Sequence, residues 1–509
     1  MHSETLQRII DMSIKTNQVQ NVLSRASFLL AGLMAAGSSL LPLDALALPA
    51  FARQTGQNCI ACHAGGQFPE LTPYGRMFKL TGYTMGARAL PLSVMGVINA
   101  ASVADTTKSD DPAADFQKNG SVVFASGSLF IAGKITDNIG LFSQITYDNY
   151  ATQDANGQFH GHTSVDNVDL RYADRFINAN RDLVVGLSVN NNPSVTDPWN
   201  TAAAWMQYVP AASLSSHQFA DASTPFPSFD VHSSALAGIN AYAYWNRRLY
   251  GELGFYGTAK GALSVMATGT ADADVQQLSG VNPYWRLALT REWGPHNLML
   301  GTTGMLARAY DVGSDTTDPN NIGRFKNIGV DAQYQYLLDP HTVTAQFAFM
   351  RQTQEYSTNA IAAAESPYFL ADGVTPVDAP NPSDTTNIFR AKLSYIYQAR
   401  YGGSLAFFNK TGTTNSLNQT AGYDSFQQIT SDDPSGTGIT STRVNGNLSG
   451  NPGTRGLTYE LFWMPLQNVR IGAQYTAYSR FNGASVNYDG FGRDAKDNNT
   501  LFAYIWFAY

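Results

Sequence analysis

Along most of this chain, apolar and polar residues alternate one by one. Between Asn327 and Leu338, the side chains of Ile328, Val330, Ala332, Tyr334, Tyr336 and Leu338 fall on one side of an extended backbone, and Asn327, Asp331, Gln333 and Gln335 fall on the other. Successive strand residues face opposite ways, so the pattern predicts a strand with one apolar and one polar face. It recurs with Val343, Ala345, Phe347 and Phe349 against Thr344 and Gln346. It recurs again with Phe389, Ala391, Leu393 and Tyr395 against Arg390, Lys392 and Ser394, and with Val469, Ile471, Ala473 and Tyr475 against Arg470 and Gln474.

A soluble β-sandwich and a transmembrane barrel both alternate in this way. Segment length favours the barrel, because the runs extend over about 10 to 13 residues, as a tilted membrane strand requires. Connections favour it too. Short turns at Ile135 to Asn138, Arg247-Arg248, Trp293 to His296, Asp339-Pro340 and Pro465 to Asn468 alternate with long polar loops at 192–232, 355–386 and 412–453. Strand starts are expected near residues 91, 120, 137, 165, 182, 234, 249, 282, 296, 326, 341, 387, 401, 454, 468 and 499. The last strand alternates Leu501, Ala503, Ile505, Phe507 and Tyr509, the aromatic-ended closing strand of outer-membrane barrels. The expected fold over 91–509 is therefore all-β, a transmembrane antiparallel barrel of about 16 strands, with outer-membrane lipid around it.

Composition agrees. Of the 509 residues only 14% are charged, 12% are aromatic, and glycine and tyrosine number 44 and 26. The net charge of -7 speaks against nucleic acid as a partner. Residues 1–47 read as a secretory signal. Arg8, Lys15 and Arg25 precede the apolar stretch from Ala26 to Leu41, and Ala45-Leu46-Ala47 is a small-x-small cleavage site. A retained anchor is the alternative reading, but the apolar run is broken by glycine and serine. Export through such a signal places the mature chain in the outer membrane of a Gram-negative bacterium.

The chain has 2 cysteines, and both lie in Cys59-Ile60-Ala61-Cys62-His63. This is the attachment motif for a c-type haem: two thiols for thioether bonds to the vinyl groups, and His63 as proximal iron ligand. A redox dithiol belongs near a βαβ pattern, which is lacking here. A zinc site needs more sulfur or histidine ligands nearby, and none lies between His2 and His160 apart from His63. One covalent haem c is therefore expected in a segment spanning 48–90. About 43 residues is close to the size below which a domain needs a staple. A barrel of this width holds a plug, so the segment is expected wholly or partly inside the lumen.

The run Phe51-Ala52-Arg53-Gln54-Thr55-Gly56, the motif Cys59 to His63, then Phe68-Pro69-Glu70-Leu71-Thr72-Pro73-Tyr74-Gly75-Arg76, Phe78-Lys79-Leu80 and Gly82-Tyr83 resembles the fused monohaem cytochrome–porin family of outer-membrane iron oxidases. The resemblance is specific over about residues 48–90 and architectural over the rest. It implies an oxidoreductase that passes electrons from an extracellular donor, with Fe(II) or another reduced species in that role, to a periplasmic cytochrome or other electron acceptor.

The sixth iron ligand is open at this level. Met77 and Met85 are the nearby thioethers; Met95, a barrel histidine or an open position are the other choices. Arg76 and Lys79 are candidates for contacts to haem propionates or to the lumen wall, and Glu70 for an ion pair with a basic residue. Phe68, Pro69 and Tyr74 are candidates for walling the porphyrin or closing a turn. Hard oxygen ligands for Fe(II) are offered by Asp105, Asp110, Asp111 and Asp115, by Asp311, Asp315 and Asp318, and an alternative capture point by His160 and His162. No catalytic triad or phosphate loop stands out. The functions to be separated are an electron conduit, a diffusion porin whose haem segment is a plug or redox sensor, and a soluble β-sandwich fusion.

Overall fold

A computed structural model describes residues 49–66, 70–104, 120–153, 159–201, 236–267, 277–364, 381–415, 447, 449–488 and 492–509. The expected signal at 1–47, Phe68, Pro69 and the cluster from Asp105 to Asp115 lie outside the described residues. Leu46–Tyr509 is one compact unit.

Sixteen antiparallel strands, β1 to β16, pair in chain order into a closed barrel. The seam joins β1 (Leu92–Val103) to β16 (Thr500–Ala508), and Val94 and Tyr509 exchange both backbone hydrogen bonds across it, at 2.6 and 2.7 Å. Closure excludes the sandwich, since every strand has two neighbours and no edge remains. One end of the barrel turns tightly at 135–138, 179–180, 246–248, 294–295, 339–340, 398–400 and 467–468; the other carries the longer connections. These are the turn end and the loop end below.

Burial assigns the two faces. In β10 (Ile322–Leu338), Ile328 and Val330 are 40% and 48% exposed, while Asn327 and Gln335 are fully buried. Phe347, Phe349, Leu393 and Tyr395 likewise point out, and Thr344, Gln346, Arg390 and Ser394 point in. The apolar face is thus the outer one, the reverse of a soluble protein and the arrangement of a barrel in lipid.

The expected strand starts fall close to the observed ones except in β4 (Phe159–Asn178), β10 and β12 (Ser383–Tyr397), which begin earlier than 165, 326 and 387. The reason is visible in β10, where Arg324 and Lys326 occupy outward positions and are exposed. Backbone pairing continues there beyond the apolar band, so the hydropathy signal ends before the strand does.

Among the described residues, two pieces of chain lie in the lumen. One is the short stretch 191–201, which carries helix Pro193–Thr196. Sequence patterning put this stretch in an outer loop; instead it folds inward. Arg286 of β8 (Asn282–Trp293) grips Asp331 with both terminal nitrogens, at 2.5 and 2.7 Å, and its Nε lies 3.4 Å from Asp197. Gln333 donates to the Trp199 carbonyl at 3.0 Å, and Arg171 to that of Thr196 at 2.9 Å. A buried cation persists only when it is paired and hydrogen-bonded in this way.

The second piece is the N-terminal segment, built on α1 (Pro49–Thr55), α2 (Cys59–Cys62) and α3 (Pro73–Leu80). Five inward-facing barrel positions hold it. Arg76 donates to Asn297 at 2.8 Å and to Gln335 at 3.0 Å; Tyr242 donates to the Leu80 carbonyl at 2.7 Å. Tyr83 donates to Asp169 at 2.6 Å, and Lys392 to Glu70 at 3.0 Å. The described part of the segment thus lies against the inner wall of the barrel.

Candidate functional site

The site begins with one helical turn. In α2 the His63 amide donates to the Cys59 carbonyl at 2.8 Å, which sets both cysteines and the histidine around a single turn. The chain then doubles back. Ala64 donates to the Glu70 carbonyl at 2.7 Å, Thr72 to that of Cys62 at 2.8 Å, and His63 pairs with Leu71 as a β-bridge. Thr72 next caps α3, its hydroxyl accepting from the Gly75 amide at 3.1 Å, with Pro73 in the first turn. Gly75 permits this return: a Cβ there would lie 2.2 Å from the Cys62 carbonyl oxygen.

Cys59, Cys62 and His63 all line one cavity, which encloses about 1050 Å³ of empty space including the part open to solvent. Phe51, Leu71, Phe78, Phe142, Val195 and Trp506 give it apolar walls. Phe51 stacks on Tyr83 with ring centres 5.4 Å apart and meets Phe78 edge-on at 4.9 Å. Such pairs add about 0.5–1.5 kcal/mol each beyond burial, which stiffens the α1 side of the cavity. Gln467 and Asn468, from a turn between strands, and Ala508 also line it, so the cavity lies at the turn end.

These residues fit a c-type haem. The walls suit a planar apolar macrocycle, and the two thiols and the imidazole converge on one space. Cys59 and Cys62 are free thiols, and Cys59 donates to the Gln467 carbonyl at 3.4 Å. Burial, and then the charge of Cys59, push the Cys62 thiol up to about 11. A thiol so protonated is unlike the low-pKa cysteine of a redox dithiol.

The other expected site residues divide. Lys79 lines the cavity of Cys59, Cys62 and His63 and donates to the Asp197 carbonyl at 3.1 Å; burial pulls its ammonium down to about 8, with the Arg171 charge next in effect. Arg76 takes the lumen-wall alternative. Its partners are barrel amides and the Leu71 carbonyl, and burial lowers it to about 10. Glu70 finds its cation in Lys392, which holds the carboxyl below its ordinary range against a burial effect that alone would raise it.

Met77 and Met85 lie elsewhere. Together with Tyr74, Arg175 and Arg247 they line a second cavity of about 830 Å³, and Met77 is packed with Leu80, Trp199 and Tyr250. Neither lines the cavity of Cys59, Cys62 and His63, nor does Tyr74. Met95 begins the β1–β16 pairing, opposite Ala508.

The loop acids have local work. Asp315 accepts from the Thr317 amide and hydroxyl at 2.8 Å each, and Asp318 from the Asn320 amide at 2.9 Å. Asp311 accepts from Ser357 at 2.5 Å. His162 sits opposite Asp148, and His160 opposite Thr152, in the register of β4 with β3 (Ile139–Gln153). Among the described residues no group of three or more histidine, cysteine or carboxylate side chains is placed to hold a metal ion.

Sequence reading missed Asp169, Arg171, Asp197 and Trp199, which pack around the plug. A signal was present: Asp169, Arg171, Arg286 and Asp331 are charges in mid-strand on one face, and such charges in a barrel lie in the lumen.

The fold and site together define a closed sixteen-strand antiparallel barrel, with Cys59, Cys62 and His63 of its N-terminal segment lining one cavity. No family model and no curated protein matches the chain. Among solved structures, OmpF of Salmonella typhi, determined in complex with daunomycin, is 10% identical with a TM-score of 0.43, covering 82% of this chain and 97% of its own. The outer membrane channel DcaP of Acinetobacter baumannii is 11% identical with a TM-score of 0.39, over 82% and 96%. An anion-selective porin from Comamonas acidovorans is 9% identical, also with a TM-score of 0.39, over 82% and 99%. At these values the fold rests on the strand pairing itself.

Proposed function

We propose that this chain is an outer-membrane monohaem electron conduit. In this reading the short turns face the periplasm, the long loops face outward, and both chain ends of the barrel lie on the periplasmic side. Electrons pass from an extracellular reduced donor, with Fe(II) as the leading substrate, to a periplasmic cytochrome or other carrier. Haem c, held by Cys59 and Cys62 with His63 on the iron, supplies one-electron redox chemistry when bound.

The observation that carries the reading is the convergence of both thiols and the imidazole on one cavity within a filled lumen. The filling bears on the diffusion-porin alternative. Arg171, Asn240, Asn282, Arg286, Asn327 and Gln335 face inward, and each is fully buried. An open pore would leave such side chains in water.

What the chain's own residues contribute is enclosure and position. Phe51, Phe78 and Phe142 exclude water from the cavity. Lys79 brings a cation to its edge, and a cation there favours a negatively charged propionate.

The test mixes anoxic purified protein with Fe(II) and follows the haem α-band, with His63→Ala as control, and measures conductance in lipid bilayers. Reduction of the wild-type haem without stable channels is the expected result. Channels without reduction would return the porin reading, with the segment as plug or sensor.

A further inference from the structure

We infer that the turn end is a docking surface for an acidic, soluble electron-carrier protein. The inference rests on the reading above only for the redox nature of the partner.

Cations are spread over this end. The turns and their flanks present Arg181, Arg248 and Arg400, and the segment joining the plug to β1 adds Arg88; all four are exposed. The carboxylates at the same level are largely taken up. Asp182 is held by Arg175 at 2.7 Å, Glu292 by Arg247 at 2.7 Å, and Asp137 by Lys134 at 2.8 Å. Asp174, which accepts from the neutral Asn138 amide at 2.5 Å, and the exposed Asp339 keep their charge. None of the four exposed arginines is in an ion pair with a carboxylate among the described residues. A chain of net charge -7 thus presents its positive end on the turn side.

The position of this charge matters. The cavity lined by Cys59, Cys62 and His63 is bounded at the same end by Gln467, Asn468 and Ala508, with exposed Gln57 and Asn58 beside it. The second cavity brings Arg175 and Arg247 against Ala61, which lies between the two cysteines. A partner seated on the basic rim is therefore brought to the end of the barrel nearest the redox centre. Complementary charge raises encounter rates and orients the pair, and the effect is screened by salt.

The experiment measures binding of plastocyanin, an acidic one-electron carrier, and of mitochondrial cytochrome c, a basic one, to the full-length protein in phosphatidylcholine nanodiscs. Plastocyanin is expected to bind more tightly, and to weaken by about tenfold between low and physiological salt. The exposed-residue variant R181E/R248E/R400E is expected to lose that preference, and Asp339→Lys to strengthen it. Equal or tighter binding of cytochrome c would overturn the inference. So would a preference that disappears in phosphatidylglycerol nanodiscs, since the arginines would then be serving anionic lipid. Binding is read without the haem, while the α-band of the same sample reports attachment, so the two readings fail separately.

Discussion

Gly75 lies so close to Cys62 that a single added carbon would sit 2.2 Å from the Cys62 carbonyl oxygen. The contact presses α3 onto the attachment turn. Gly75→Ala is expected to push the two apart and to lower covalent haem occupancy, read as the haem-to-protein ratio of the purified barrel. Full occupancy would show that the return of the chain is not needed for attachment.

Arg76 spans from the plug to the wall, meeting Asn297, Gln333 and Gln335. Arg76→Ala leaves these buried amides with fewer partners, at about 1–3 kcal/mol for each one left unsatisfied. The expected consequence is a loosened plug, detected as ion conductance in planar bilayers that the wild type lacks. Unchanged conductance would assign the seal to the other anchors.

Glu70 gives a pH dependence of definite sign. Burial raises its carboxyl, but Lys392, a backbone hydrogen bond and the Arg470 charge together lower it, and the folded value is depressed. A depressed carboxylate contributes stability that is present above its unfolded pKa, about 4.3, and is lost as pH falls through the folded value. The denaturant midpoint for plug release should therefore drop in acid below about pH 4.3, with a flatter profile in Glu70→Gln. Parallel profiles would remove this pair as the acid-sensitive anchor.

Met77→Leu and Met85→Leu are expected to leave the reduced α-band and the midpoint potential unchanged, because both methionines line the second cavity. A shift in either variant would restore that thioether as the sixth ligand.

How far these features were legible in the sequence follows from how local each one is. The strands of the barrel were legible because lipid on one side and a packed polar interior on the other imprint a period of two on residues such as Val330 and Asp331. The turn that sets Cys59, Cys62 and His63 side by side spans five consecutive residues, so its spacing is local to the sequence. The plug's anchors were not, since Arg76 and Asn297 meet only after the barrel has brought distant strands together. Nor does sequence spacing tell which side of α3 meets the cavity. Lys79 lines it and Met77 does not, although both are buried on the same short helix. The inward fold of 191–201 was read as loop because its asparagines, serine and prolines are loop residues; Trp199 was the exception in that stretch.

The cavity wall also has a consequence for the order in which the protein matures. Phe51 and Trp506 face the same space, so it is enclosed only once the final strand is in place. The attachment turn, by contrast, is complete within the first part of the chain to be exported. In the proposed reading, covalent attachment of a haem would need only that local turn, whereas the surroundings that would govern its potential arrive last. A chain caught between these stages would then hold the cofactor in water, with a potential set by solvent rather than by the barrel.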